Sequence, residues 1–360
     1  MTAKSDFAAR VIAWQRTHGR HGLPWQNTRD AYRIWLSEVM LQQTQVATVL
    51  PYYDRFVAAF PTVDALAAAA LARVLERWSG LGYYRRAHHL HAAARMVVQQ
   101  HGGRFPSDAT TLAMLPGVGR STAAAIAAFA SGERGAILDG NVRRVLARHR
   151  GVSGWPGIPQ IEAQLWRVAE ALLPGPPDGA SNAIAAYTQG MMDIGATVCT
   201  RTRPRCDVCP VSDGCVARRD ARIDELPSAR PRKALPKRAI IMLLLERRGE
   251  ILLEQRPPLG IWGGLWSFPE LSLGEDIDAY LSVRFNATAD AIERLPPRRH
   301  VFTHFALTMH PVRVRVGRWP DGVAMPGTAW FDADSAIASA AATPIRKLLE
   351  TWMQSILQAH

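Results

Sequence analysis

From residue 6 to about 198 the apolar positions recur at helical spacing, as in DFAARVIAWQR, TVDALAAAALARVLERW, RAHHLHAAARMVVQQ and SNAIAAYTQGMMDIGATV. The runs are separated by HGRHGLP, HGGRFPS, SGERG and PGPPDGAS, so an all-helical N-terminal domain is predicted. After Cys215 the pattern changes. Arg218, Arg219 and Arg222 lead into LPSARPRKALPKR, a proline-rich basic stretch that cannot continue a helix and reads as a linker. Beyond it, RAIIMLLLE, EILLEQR, GLWSFPE and HVFTHFALTMHPVRVRV are short runs of branched and aromatic residues bounded by turn signals, which predict a mainly β part with one or two helices. The expected organisation is a helical domain over 1–222, a linker over 223–236 and a second domain over 237–360.

Charge adds the class of partner. Lys and Arg number 43 against 31 Asp and Glu, a net +12, which favours a polyanion such as nucleic acid or an anionic membrane. Lys4, Asp6 and Arg10 fall where a signal peptide needs an apolar run, and no stretch approaches the ~18 apolar residues of a membrane span. A soluble cytoplasmic protein with no membrane partner is expected, and with nothing resembling a dimer seam, a monomer.

All four cysteines lie in CTRTRPRCDVCPVSDGC, at Cys199, Cys206, Cys209 and Cys215, with arginines between the first two. A reducing compartment disfavours disulfides, so thiolate ligation leads. The spacing C-x6-C-x2-C-x5-C suits a tetrahedral zinc or an iron-sulfur cluster; having one C-x2-C pair rather than two, it favours the cluster. Either metal would turn its binding energy into folding energy for the loop, and a purely structural staple is the simplest role.

In TLAMLPGVGRSTAAAIAAFASG, Pro116, Gly117 and Gly119 permit a tight turn between two helices. The second then presents free N–H groups and its positive dipole end, a setting that suits a DNA phosphate as well as plain helix packing. Downstream, AILDGNVRRVLARH places Asp139 before a basic helix, most simply as an N-cap. In WLSEVMLQQTQV, Glu38 sits among apolar neighbours, and its plain reading is a solvated acid in the first turn of a helix.

Taken together, LPGVGRSTAAAI, LDGNVRRVLAR, SEVMLQQTQV and the cysteine loop resemble the helix-hairpin-helix DNA glycosylases with an iron-sulfur cluster, and more narrowly the adenine DNA glycosylases of the MutY type. LPWQ, GLGYYRRAHHL, YTQGMMDIGATVC, IWGGLWSFP and FTHF extend the resemblance over nearly the whole chain. It implies a multidomain α plus α+β fold: a helical glycosylase domain with a [4Fe-4S] loop, then a Nudix-like α/β sandwich. The implied activity is removal of adenine opposite 8-oxoguanine or guanine in double-stranded DNA, in a bacterial-type, nucleoid-associated setting.

The resemblance also assigns residues. Glu38 would protonate adenine N7, which requires its pKa to rise from about 4.3 to roughly 6 or 7 by desolvation. Asp139 would stay ionised and stabilise the oxocarbenium sugar, kept acidic by a polar helix N-terminus, with Asn141 holding the geometry. Trp25, Leu41 and Gln189 would line the adenine pocket. Gln43, Thr44, Leu81 and Tyr83 would enter the duplex, Tyr83 as an aromatic wedge, while Gly117 and Gly119 form the hairpin. The plain reading of Trp25, Leu81 and Tyr83 is core packing.

Strand-nicking relatives of the endonuclease III type carry a Schiff-base lysine where this chain has Ser121, which cannot form an imine, so a monofunctional enzyme is implied. In the second domain, LSLGEDIDAYLSVRFNA has Glu275, Asp276 and Asp278 but lacks the paired glutamates of a Nudix hydrolase. Phe302-Thr303-His304 stands where the family has an F-S-H loop that reads 8-oxoguanine. His300, His304 and His310 read as unliganded strand residues. Alternatives are an endonuclease III-like enzyme acting on oxidised pyrimidines, a non-catalytic DNA-damage-binding protein, and a zinc-stapled DNA-binding regulator.

Overall fold

The structure is a computed structural model that describes residues 3–175, 183–231, 234–258, 260–320 and 325–357; parts of PGPPDGAS and of the expected linker lie outside the described residues. The chain divides into two compact units, Met1–Ala68 with His89–Arg232, and Ala69–His88 with Lys233–His360. No helix among the described residues is long and apolar enough to cross a membrane.

The first unit is helical. Its helix Ala31–Leu41 is started by Asp30, whose side chain accepts the Tyr32 N–H at 2.9 Å, and it buries Tyr32, Ile34, Trp35, Leu36, Val39 and Met40. The helix Arg120–Ser131 buries Ile126 and five alanines between residues 123 and 128, and the small alanine side chains let it pack closely on Ala31–Leu41. Before it, Gly117 has φ 78°, and a Cβ there would fall 2.8 Å from the His89 Cβ, so only glycine fits the turn. The helix Gly140–Arg150 starts on the Asp139 cap and ends at Gly151 in the left-handed region. The helix Ala183–Asp193 packs on Ala3–His18, then widens into a π turn, Ile194–Val198, that delivers Cys199. Phe7, Val11, Leu146, Leu165, Tyr187 and Ile194 are among the residues that close the core.

TVDALAAAALARVLERW is read from its spacing as one helix, yet it forms two, Val63–Ala68 and Leu71–Trp78, with Ala70 extended between them. The division between the two units falls at this break. An all-alanine junction carries no stop signal, so the pattern alone gives no warning of it.

The second unit holds an eight-stranded mixed sheet: β1 (Lys237–Arg247), β2 (Glu250–Gln255), β3 (Trp266–Ser267), β4 (Glu270–Leu271), β5 (Ala289–Arg294), β6 (Arg298–Val301), β7 (Ala306–Val316) and β8 (Thr328–Phe331). The path is β3-β2-β1-β7-β5, with β4 on β1, β6 on β7 and β8 on β2. Strands β1 and β7 run parallel from Lys237↔Ala306 to Glu246↔Arg315. The continuous buried run from Ile241 to Leu245 is that of a strand covered on both faces. Among the described residues three helices accompany the sheet, Ile277–Phe285, Ala333–Ala338 and Thr343–Leu357, where the sequence suggests one or two. The extra one, Ala333–Ala338, is short and is started by Asp332, which accepts the Ser335 N–H at 2.7 Å.

Ala69–His88 is built into this unit. Ser79 and Tyr84 both donate their hydroxyls to the Ala341 carbonyl, at 3.1 and 3.2 Å, and His88 Nε2 lies 3.0 Å from the Gly263 carbonyl.

Candidate active site

Glu38 lies in the last turn of Ala31–Leu41, not the first, because the helix begins at the Asp30 cap. There the dipole's negative end disfavours a carboxylate instead of stabilising it. Ile34, Ser37, Glu38 and Leu41 share one face and line a cavity of about 530 Å³, together with Trp25 and Gln189. The structure thus gathers all three expected pocket residues around Glu38. Trp25 is held edge-on against Tyr53 at 5.1 Å. Burial pushes the Glu38 carboxyl up to about 8, and the Asp139 charge pushes the same way.

Asp139 is the N-cap of Gly140–Arg150, and its Oδ1 accepts the N–H groups of Asn141 at 2.6 Å and Val142 at 2.9 Å. The cap reading therefore holds, and Asp139 is near enough for its charge to act on Glu38, although neither Asp139 nor Asn141 is among the residues lining the cavity. The polar setting expected to keep Asp139 acidic does not prevail: burial raises its pKa, against the opposing pull of the two N–H groups and of Arg144 and Arg143. Glu38 has no such opposition, so of the two carboxyl groups it is the one built to keep the proton.

Ser121 also enters this geometry. Its Oγ accepts the Leu138 N–H at 2.9 Å and so braces the residue before Asp139. Asn141 Oδ1 accepts from Arg144 Nη2 at 2.9 Å, and the same guanidinium reaches the Gly195 and Cys199 carbonyls at 2.6 and 2.7 Å. Gly195 comes so close to Asn141 that a Cβ would meet the Asn141 Cβ at 2.6 Å.

Gly117 and Gly119 are exposed, and Gly119 caps Arg120–Ser131 without a side-chain hydrogen bond to its first N–H groups. Gln42 Nε2 donates to the Gly117 carbonyl at 3.1 Å, tying the Gln43-Thr44 loop to the hairpin, and Gln43 is exposed with φ 58°.

The residues matched by the HhH-GPD superfamily base excision DNA repair protein family, 36–171, contain Glu38, the hairpin and Asp139; residues 240–351 match the NUDIX domain. The "Adenine DNA glycosylase" of Buchnera aphidicola subsp. Acyrthosiphon pisum (strain APS) is 32% identical over 354 residues, 98% of this chain and 99% of that protein. This chain belongs to the adenine DNA glycosylase family. The Homo sapiens member is 33% identical over 413 residues, covering 96% of this chain and 74% of that one. Among solved structures, a thermostable thymine-DNA glycosylase is similar, with 28% identity and TM-score 0.52, over 60% of this chain and 97% of that one. The chain is therefore a DNA glycosylase of base excision repair, with DNA as its partner.

In this adenine DNA glycosylase the four cysteines form no disulfide and are partly exposed. Arg148, itself buried, organises their loop: Nη1 lies 3.4 Å from Cys199 Sγ and donates to the Thr200 carbonyl at 2.7 Å, while Nη2 reaches the Arg201 carbonyl at 3.1 Å. Burial, then the charges of Cys199 and Cys215, raises the Cys206 thiol; burial pushes Cys209 up to about 11, with the other three cysteines adding to it. Thiols that oppose one another's ionisation need added positive charge to bind as thiolates, which a metal group supplies. Among the described residues no group of three or more His, Cys, Asp or Glu is placed to hold a metal ion. Four cysteines suit either a zinc or an iron-sulfur cluster, and the family suggests the cluster. Arg201, Arg203 and Arg205 stand exposed on the same loop.

The remaining expected residues belong to the second unit. Leu81 keeps 5% of its surface exposed and packs inward instead of standing ready to enter a duplex, whereas Tyr83 is 49% exposed with φ 49° and has the Arg86 guanidinium 5.4 Å from its ring centroid. Thr303 and His304 are exposed in the loop after β6, with Thr303 Oγ1 3.4 Å from His304 Nδ1. Asp276 caps Ile277–Phe285 and Glu275 accepts the Ser272 N–H, so both acids have local structural partners. The sequence reading passed over Ser121 as a brace, Arg144, Arg148 and Asp193. The one available signal was for Asp193, which sits four residues after Gln189 on the same helix.

Proposed function

We propose that the enzyme removes adenine paired with 8-oxoguanine or guanine and leaves an abasic site without cutting the strand. The observation that carries this reading is the Glu38 carboxyl, raised to about 8 on the wall of a cavity that also holds Trp25, Leu41 and Gln189. A glutamic acid that stays protonated near pH 7 can give its proton to adenine N7, which makes the base a better leaving group. Asp139, with two N–H donors and nearby guanidinium charge, supplies the carboxylate that stabilises the oxocarbenium sugar, and Asn141 and Ser121 hold its helix start in place.

The adenine reaches the cavity by leaving the stack, at a cost of a few kcal/mol. Gln43, Thr44 and Tyr83 occupy the disturbed duplex, and the first N–H groups of the helix after Gly117 and Gly119 take a phosphate. Thr303 offers its hydroxyl, donor and acceptor together, to the opposite 8-oxoguanine. Cys199, Cys206, Cys209 and Cys215 would hold a [4Fe-4S] cluster, whose contribution is to fix the loop bearing Arg201, Arg203 and Arg205. Ser121 cannot form the imine needed for strand scission.

The test uses duplexes with A opposite 8-oxoguanine, A opposite G, and an oxidised pyrimidine, each followed by alkali. Alkali-dependent scission at the adenine alone is the expected result. Scission at the pyrimidine, or without alkali, would overturn the assignment.

A further inference from the structure

Asp193 ends the helix that carries Gln189, and its side chain is fully buried. Its Oδ1 accepts from Arg20 Nε at 2.7 Å, Arg20 Nη2 at 2.6 Å and Gln189 Nε2 at 2.9 Å, and its Oδ2 from the Arg20 backbone N–H at 2.9 Å. Arg20 and Gln189 both line the cavity that contains Glu38.

A carboxylate has lone pairs and no proton to give. Gln189 can therefore meet Asp193 only through its NH2 group, since the opposite orientation would set two acceptor oxygens against each other in a buried place. The planar amide then turns Oε1 away from Asp193. What it leaves to a ligand is one acceptor, Oε1, beside the second N–H of Nε2.

We propose that Asp193 is a specificity-determining positioning residue, which by holding Gln189 in one orientation makes the cavity take 6-aminopurines and reject 6-oxopurines. The inference rests on the adenine-excision reading with Glu38 at N7. Gln189 then addresses the N1/N6 edge: adenine N6–H donates to Oε1, and Nε2–H donates to N1. Hypoxanthine and guanine carry the reverse pattern, an N1–H and an O6, so donor meets donor and acceptor meets acceptor. A glutamine free to turn by half a revolution would match either base. Asp193 removes that freedom.

Asp193→Asn replaces the carboxylate with an amide that can face Gln189 with either its oxygen or its NH2. Single-turnover excision by the full-length chain is measured on duplexes with adenine or hypoxanthine opposite 8-oxoguanine, beside thermal melting of each variant. The wild type should remove hypoxanthine at least about 100-fold more slowly than adenine. Asp193→Asn should narrow that ratio about tenfold or more, and Asp193→Glu, again an acceptor only, should keep most of it. A residue that merely holds Arg20 and the helix would slow both substrates alike, and an unchanged ratio in a folded Asp193→Asn enzyme overturns the inference while leaving adenine excision intact. If Asp193→Asn shows no melting transition, the wild-type ratio decides: strong rejection of hypoxanthine supports the proposal and near-equal rates overturn it. A wild type that leaves adenine in place overturns the excision reading, and this inference with it.

Discussion

If Glu38 is the proton donor proposed above, it serves activity at the expense of stability. Its folded-state pKa of about 8 lies above the 4.5 of an unfolded glutamic acid. Between those values the folded state binds more protons, so stability falls as pH rises from about 4.5 towards 8 and the full penalty applies beyond. Glu38→Gln removes the ionisable group. The variant should bind the mispaired duplex, lose excision by several orders of magnitude, and be more stable than the wild type by on the order of a few kcal/mol at pH 8, at ~1.36 kcal/mol per pKa unit. Melting curves at pH 4 and pH 8 check this, and the difference should vanish at the lower pH. In the wild type, single-turnover rates should hold through pH 7 and then decline above about pH 8 as the acid loses its proton. A rate that climbs through that range would remove Glu38 as the proton donor.

At the scale of elements, the hairpin separates two kinds of glycine. Gly117 has φ 78° and would set a Cβ 2.8 Å from His89, whereas Gly119 has an ordinary φ of −88° and nothing within 4 Å of an added Cβ. Gly117→Ala should cost about 1–3 kcal/mol of stability through the strained turn. Gly119→Ala should leave the melting temperature nearly unchanged yet weaken duplex binding, because its methyl group would stand beside the first N–H groups of the helix. Melting and binding measured on both variants test the distinction. These elements also show what the sequence could convey. The L-P-G-V-G turn and the Asp139 cap were legible because each depends on residue types at fixed offsets. The position of Glu38 within its helix does not follow from its apolar neighbours alone; it is set by the Asp30 cap, which starts the helix at Ala31. The burial of Asp139 was not legible, because it comes from packing distant segments around one carboxyl, which local spacing does not record. The break at Ala70 was hidden for a different reason: alanine favours a helix, and tertiary packing overrode it.

For the whole molecule, basic charge and the cysteine loop bear on one measurement. Arg201, Arg203 and Arg205 are exposed on a segment fastened by Arg148. If each neutralises one phosphate, replacing all three with alanine should lower the slope of log affinity against log salt by about 0.9 per phosphate, roughly 2–3 in total. Binding to matched and mispaired duplexes should weaken to a similar degree, since phosphate contacts carry little base information. Affinities measured from about 50 to 200 mM salt decide it, and an unchanged slope would make these arginines solvent-facing bystanders.

The placement of Ala69–His88 bears on any attempt to divide the protein. Val74, Leu75 and Trp78 are buried, and Ser79 and Tyr84 spend their hydroxyls on a carbonyl supplied by Ala341. The second domain is thus discontinuous in the chain, with a twenty-residue insert borrowed from the middle of the first. A fragment ending near residue 232 would retain that insert but lose the Ala341 and Gly263 carbonyls that its Ser79, Tyr84 and His88 side chains meet. Truncation at the apparent linker should therefore disturb Ala69–His88 as well as remove the C-terminal residues, and a loss of lesion discrimination in such a fragment would not by itself assign that discrimination to the missing residues.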